Sequence, residues 1–101
     1  MRKSLIALIS VVLLTGCGDK TIDASSSENL QKSISEMVNE LQGEQLQSFN
    51  LSIGRIMINS VIEAAGDEKK KQEIIKSKID GKTAAEVIQI GENEKIPGEA
   101  D

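Results

Sequence analysis

The sequence predicts a small all-α protein, a bundle of three to four helices or a helical hairpin, that follows a signal peptide and a flexible tether. Three observations predict this fold. Apolar residues recur at spacings of three and four, as they do on one face of a helix. Two Ser- or Thr-initiated capping boxes mark helix starts. The chain has no run of β-branched residues with alternating polarity between hairpin turns.

The first sixteen residues differ from the rest of the chain. Arg2 and Lys3 precede an almost wholly apolar run over residues 5–14. A run of about ten residues suits a signal-peptide core and is shorter than the roughly 20 residues that span a bilayer. We therefore predict a signal peptide over residues 1–16 and exclude it from the fold.

The string Leu14-Thr15-Gly16-Cys17 follows this core and resembles a bacterial lipobox. The resemblance implies cleavage between Gly16 and Cys17 and acylation of the Cys17 thiol. Acyl chains hold a protein on a membrane, because each buried methylene contributes about 0.8 kcal/mol. The alternative is an ordinary membrane anchor with an unrelated cysteine, which the short apolar run disfavours.

The lipobox implies a lipid-anchored protein of the bacterial cell envelope that faces the periplasm. Gly18 stands where lipoproteins kept at the inner membrane often carry Asp. The resemblance therefore favours the outer membrane over the inner one in a host that has both. The rest of the chain divides into the lipidated cysteine with a polar tether (17–27), a helical domain (28–96) and a frayed tail (97–101).

The first predicted helix starts at a capping box, with Ser25 as the cap and Glu28 reaching back to it. Gly43 is a natural stop for this helix. Its apolar stripe consists of Leu30, Ile34, Met37, Val38 and Leu41.

The second predicted helix runs from about residue 44 to residue 65 and is apolar around much of its circumference. Its main stripe consists of Leu46, Phe49, Ile53, Ile56, Met57, Val61 and Ala64, and Leu51, Ile58 and Ile62 broaden it. Such a helix is normally central in a bundle or covered by a partner. Gly54 predicts close helix packing or a bend. The candidate interaction face consists of Phe49, Ile53, Ile56 and Met57.

The third predicted helix runs from about residue 67 to residue 79. Asp67 and Glu68 lie at its start and Lys76 and Lys78 near its end, as the helix dipole favours. Its basic run, residues 69–71, could contact anionic lipid head groups, but its acidic neighbours favour a solvated helix face.

A turn over residues 80–82 leads to the last helix. Thr83 and Glu86 form the second capping box, and Val87 faces the core. Gly91, followed by Pro97 and Gly98, is expected to close the ordered part of the chain.

The composition excludes several classes of function. The chain has no His, Trp or Tyr, one Cys, one Phe and a net charge of -4. The commonest general base and metal ligand are therefore missing, and so are the aromatic platforms and positive charge that nucleic-acid binding uses. We predict no catalytic residue, no metal site, no cofactor and no nucleic-acid partner, and hence a protein that is not an enzyme.

Nearly the whole chain resembles a group of small bacterial lipoproteins of unknown function. Beyond the lipobox, the resemblance is most specific in Thr-Ile-Asp-Ala-Ser at residues 21–25 and Asp-Gly-Lys-Thr-Ala-Ala-Glu-Val-Ile at residues 80–88. The tail from Gly91 departs from the group, in which a helix rich in Ala and charge is expected. The resemblance implies a location and a fold, and no mechanism.

These observations favour a non-enzymatic protein-interaction module on the membrane, with an envelope protein as its partner. A self-associating structural lipoprotein and an inhibitor or immunity-type protein that blocks a toxin or receptor are the alternatives. A domain of this size with a thin apolar core is marginal alone, so binding a partner or a second copy would help to stabilise it.

Overall fold

The computed structural model describes residues 20–98. They form four helices: α1 (Ser27–Glu40), α2 (Gly43–Ala64), α3 (Glu68–Ile79) and α4 (Ala84–Glu92). The predicted all-α bundle is confirmed. Over this part of the chain, β structure is limited to one antiparallel bridge between Thr21 and Thr83. Because α2 packs against both α3 and α4, it is the central helix, as its broad apolar surface predicts.

The start of α1 differs from the prediction. Its cap is Ser26, whose hydroxyl accepts a hydrogen bond from the Asn29 N–H at 3.1 Å. The predicted cap, Ser25, instead donates its hydroxyl to Asp23 Oδ1 at 2.6 Å. The capping box with Glu28 was therefore wrong, because Ser25 is engaged by the segment that precedes the helix.

The other helix ends follow the predicted chemistry more closely. The Asp67 carboxylate accepts from the Lys70 N–H and caps α3. Thr83 and Glu86 form the predicted capping box at the start of α4, with each side chain accepting from the other residue's N–H. Gly43 does not stop α1, which ends at Glu40; it is the first residue of α2 instead.

One hydrophobic core holds all four helices together. The buried residues of this core consist of Ile22, Ala24, Leu30, Met37, Phe49, Ile56, Ile75, Ile79 and Val87. Two of them, Ile22 and Ala24, precede α1. The core is therefore completed by a segment that is not helical.

Residues 21–24 belong to the fold and not to the predicted polar tether. Ile22 is 2% exposed. Its N–H donates to the Lys82 carbonyl at 2.9 Å, and its own carbonyl accepts from the Gly81 N–H at 2.8 Å. The tether prediction over residues 17–27 was wrong for this part, since two apolar residues among polar ones suffice for a short buried segment. Residues 17–19 lie outside the described range.

Side chains fix the same segment from two sides. The Ala24 N–H donates to Asp80 Oδ1 at 2.8 Å, and the Asp23 N–H donates to Ser33 Oγ at 3.0 Å. The Ser25 hydroxyl and N–H both donate to the Asp23 carboxylate and hold its pKa below the usual range. The segment is thus bonded both to α1 and to the turn after α3.

The close helix approach predicted at Gly54 occurs at Gly91 instead. A Cβ added at Gly54 would meet no atom within 4 Å, whereas one added at Gly91 would overlap Ser52 of α2. The Ser52 hydroxyl donates to the Ile88 carbonyl at 3.2 Å across the same crossing. Gly91 is therefore a buried contact inside α4 and does not end that helix, which continues to Glu92.

These two glycines make a matched pair for a stability test. We expect Gly91→Ala to lower the free energy of unfolding by about 1–3 kcal/mol, because the new methyl overlaps Ser52. We expect Gly54→Ala to raise it by up to about 1 kcal/mol, because the site is open and Ala is the better helix former. Urea unfolding followed by circular dichroism measures both. Equal effects of the two substitutions would contradict the assigned crossing.

Candidate interaction face

The predicted interaction face lies mostly inside the protein. Phe49 and Ile56 are fully buried, and Ile53 and Met57 are half-buried and packed against the core. Within the described bundle these four residues lie in the core or pack against it, so their role in binding a partner stays a prediction. They hold the bundle together.

The opposite side of α2 carries the exposed apolar surface. Within residues 20–98, the large apolar side chains that are exposed are Leu51, Ile58, Val61 and Ile62, at 47–57%. Their spacings of seven, three and four place them on one side of the helix. We call these four residues the outer face of α2. From the sequence, Leu51, Ile58 and Ile62 are expected to broaden the main stripe, to which Val61 belongs.

The outer face is free of charge over most of its length. Between Glu44 and Glu63, Arg55 is the one charged residue of α2. Its guanidinium Nη1 donates to the Glu94 carbonyl at 3.2 Å, at the boundary with the segment that follows α4. Gly54 lies next to the outer face and is half-exposed. A Cβ added at this position would meet no atom within 4 Å. A partner could approach the α2 backbone closely at that point.

An open groove borders the outer face. It runs between α2 and residues 91–95, and Leu51, Ser52 and Arg55 contribute to its α2 side. Leu51 belongs both to the groove and to the outer face, so the two surfaces are continuous. The far side of the groove is polar, because Glu92, Asn93 and Glu94 line it.

A polar cluster fixes the far wall of this groove. Lys78 Nζ lies 3.2 Å from a carboxylate oxygen of Glu63 and 3.2 Å from Glu94 Oε1. Asn59 Nδ2 donates to the same Glu94 oxygen at 2.7 Å and to the Lys95 carbonyl at 3.0 Å. Every contact in this cluster joins two parts of the chain, so we assign it a structural role.

The remaining charged and hydroxyl groups suggest no site. In the basic run 69–71, Lys71 pairs with Glu68 at 3.0 Å while its two neighbours are exposed, as on a solvated face. The Ser77 hydroxyl donates to the Ile74 carbonyl. In the described part of the chain, no group of three or more Cys, Asp or Glu side chains is placed to hold a metal ion.

Two of the predicted functional residues lie outside residues 20–98. They are Gly16 and Cys17, the predicted cleavage and lipidation positions. Of the helices that the structure describes, none combines the length and the apolarity needed to cross a bilayer.

A pair of neighbouring isoleucines distinguishes the buried side of α2 from the outer face. Ile56→Ala should lower the free energy of unfolding by about 2–5 kcal/mol, because it leaves a cavity in the core. Ile58→Ala should change it by only about 0.5 kcal/mol, because Ile58 is 47% exposed. Denaturant unfolding of both variants is the measurement. A large loss for Ile58→Ala would show that this side chain is also buried in solution.

Comparison with known protein families gives a match over most of the chain. A family model described as "Family of unknown function (DUF6694)" matches residues 3–95. The match extends from the predicted signal peptide to the segment after α4. No curated protein and no solved structure matches the chain.

Proposed function

The chain belongs to the family of unknown function DUF6694, and we propose that it is a membrane-anchored bacterial lipoprotein that acts as a protein-interaction module of the cell envelope. Signal peptidase would remove residues 1–16, and acyl chains on Cys17 would hold the helical domain on a membrane. The domain would face the periplasm, with the outer membrane favoured. Its role would be to bind and not to catalyse.

The observation that carries this proposal is the outer face of α2. Four large apolar side chains stay about half exposed on one side of one helix. Single exposed apolar residues are ordinary on a protein surface, whereas a contiguous group is typical of an interaction site. The face consists of Ile, Val and Leu, and the one charged residue beside them, Arg55, is hydrogen-bonded to the Glu94 carbonyl, so the face suits an apolar partner surface.

The shape of this surface favours a protein partner over a small molecule. Small-molecule sites usually bury most of the ligand in a cleft or cavity. The outer face is a convex row along a helix, and the groove beside it is open. A helix of an envelope protein could lay its apolar ridge beside Leu51 and Ile58, with Gly54 leaving room for close contact.

The lipid attachment is tested by removal of the thiol. We expect Cys17→Ser to abolish fatty-acid labelling and to leave the uncleaved precursor, because both steps need the lipobox cysteine. Metabolic labelling and the mass of the purified protein report the two effects. Ser26→Cys in the Cys17→Ser background is the matched control, because it restores a thiol at a position outside the lipobox. Normal processing of the Cys17→Ser variant would contradict the assignment.

The outer face is tested by photo-crosslinking in the cells that make the protein. A photoreactive residue at Ile62 should crosslink one envelope protein, and the same residue at the exposed position Glu36 of α1 should not. Adding Ile58→Lys should reduce the Ile62 crosslink at least several-fold, because a charge then stands in the apolar contact. Mass spectrometry identifies the crosslinked chain.

Other outcomes of this experiment replace the proposed role. Crosslinks only between copies of this chain would favour a self-associating structural lipoprotein. Equal crosslinking at Ile62 and Glu36, or no effect of Ile58→Lys, would show that the outer face is not a binding surface.

A further inference from the structure

We infer that one end of the domain, where the N-terminal segment joins the helices, lies against the membrane head groups. The C-terminal half of α2 is held away from them. We call this end the entry end and define it by Lys20, Thr21, Glu40, Lys82 and Thr83. The inference rests on the proposed lipidation of Cys17. It adds an orientation to the proposed function.

The fold becomes fixed almost immediately after the lipidation position. Thr21 bridges to Thr83, and both backbone polar groups of Ile22 are hydrogen-bonded to residues 81–82. Burial of the Ile22 side chain and the bond from Ala24 to Asp80 secure the next residues. The covalent distance between Cys17 and the first residue of the fold is therefore set by residues 18–20.

This linker is short compared with the domain. Four Cα–Cα steps separate Cys17 from Thr21 and span at most about 14 Å when fully extended. The head-group layer on each side of a bilayer is roughly 5–8 Å thick, so the linker extends only about 6–9 Å beyond it. The 22 residues of α2 extend about 33 Å. The linker cannot reach from the entry end to the opposite end of the domain.

The contacts of residues 20–23 show which ends of the helices form the entry end. Lys20 Nζ lies 3.6 Å from Glu40, the last residue of α1, and the segment then runs back along α1 towards Ser33. α2 starts only three residues after Glu40. Ile58 and Ile62 follow the start of α2 by 15 and 19 residues, which is about 22 and 28 Å along the helix axis.

The chemistry of the two surfaces agrees with this orientation. The entry end is polar and carries both signs of charge, which suits contact with head groups without insertion. The outer face has no aromatic residue, and Arg55 is the one basic residue of α2, unlike the Lys- and Arg-rich, aromatic-bearing helices that lie in a membrane interface. We therefore assign the head-group layer to the entry end, and the outer face remains open to a partner.

Head-group quenching tests the orientation with the lipidated, full-length mature protein in phosphatidylcholine–phosphatidylglycerol vesicles. Cys17 is the only native cysteine and its thiol would be acylated, so a fluorophore can be attached to an introduced cysteine. The three label positions are Gln42→Cys near the entry end, Ile62→Cys on the outer face and Lys69→Cys beyond the end of α2. Lipids with a nitroxide head group should quench the label at residue 42 several-fold more than the labels at residues 62 and 69.

A linker variant is the control. Inserting eight Gly and Ser residues after Gly18 leaves the fold untouched and lets the domain turn, because a flexible segment of that length adds on the order of 16 Å. The difference in quenching between the three positions should then fall to less than twofold. Equal quenching with the native linker would overturn the inference, and so would strongest quenching at residue 62, which would mean that the outer face lies on the bilayer.

The mass of the protein from the same vesicles separates the two proposals. A protein without acyl chains that fails to bind vesicles would refute the lipoprotein assignment and this inference with it. An acylated protein with the wrong quenching pattern would overturn the orientation alone.

Discussion

The two hydrogen bonds between Ile22 and the turn over residues 80–82 join parts of the chain that are about 60 residues apart. The segment around Ile22 is buried but not helical, so its backbone N–H and carbonyl need hydrogen-bond partners elsewhere in the chain. These two bonds supply them, and buried backbone groups without partners would lower the stability of the fold. With these bonds made, Ile22 and Ala24 can fill the core beside Ile79 and Val87. The α3–α4 turn is fixed by the same contact, since the Asp80 carboxylate and the Gly81 N–H both bind this segment. The positions of α1, α3 and α4 around α2 thus depend on one short, non-helical stretch.

The central position of α2 explains why its two sides have different roles. α4 approaches so closely at Ser52 that only a glycine fits opposite it. Val87 of α4 and the α2 residues Phe49 and Ile56 are buried in the same core. A helix that is apolar on both sides then leaves one side uncovered in a single copy of the chain. The same packing that stabilises the bundle creates the outer face.

Much of the fold could be predicted from the sequence, because the helices have strong local signals. The capping box of Thr83 and Glu86 and the apolar spacing in α2 depend on neighbours only a few residues away. The role of Ile22 could not be predicted. Two apolar residues among polar ones show no helical or strand periodicity, and the backbone groups that Ile22 binds lie about 60 residues away, at residues 81–82. The sequence does not distinguish the buried stripe of α2 from the exposed one, for a similar reason. Both have helical spacing, and only the approach of α4 at Gly91 decides which one is buried.

The separation between Ile22 and its partner turn also sets an order of folding events. Contacts between residues about 60 positions apart require a large loop to close, so they form after the local pairing of α2 with α3. A chain that crosses a membrane from its N-terminus cannot complete this contact until residue 82 has emerged. Until then, Ile22 and Ala24 lack the turn against which they are buried in the finished fold. The proposed processing of Cys17, which precedes Thr21 by four residues, would therefore take place on a chain whose segment 21–24 has not yet docked.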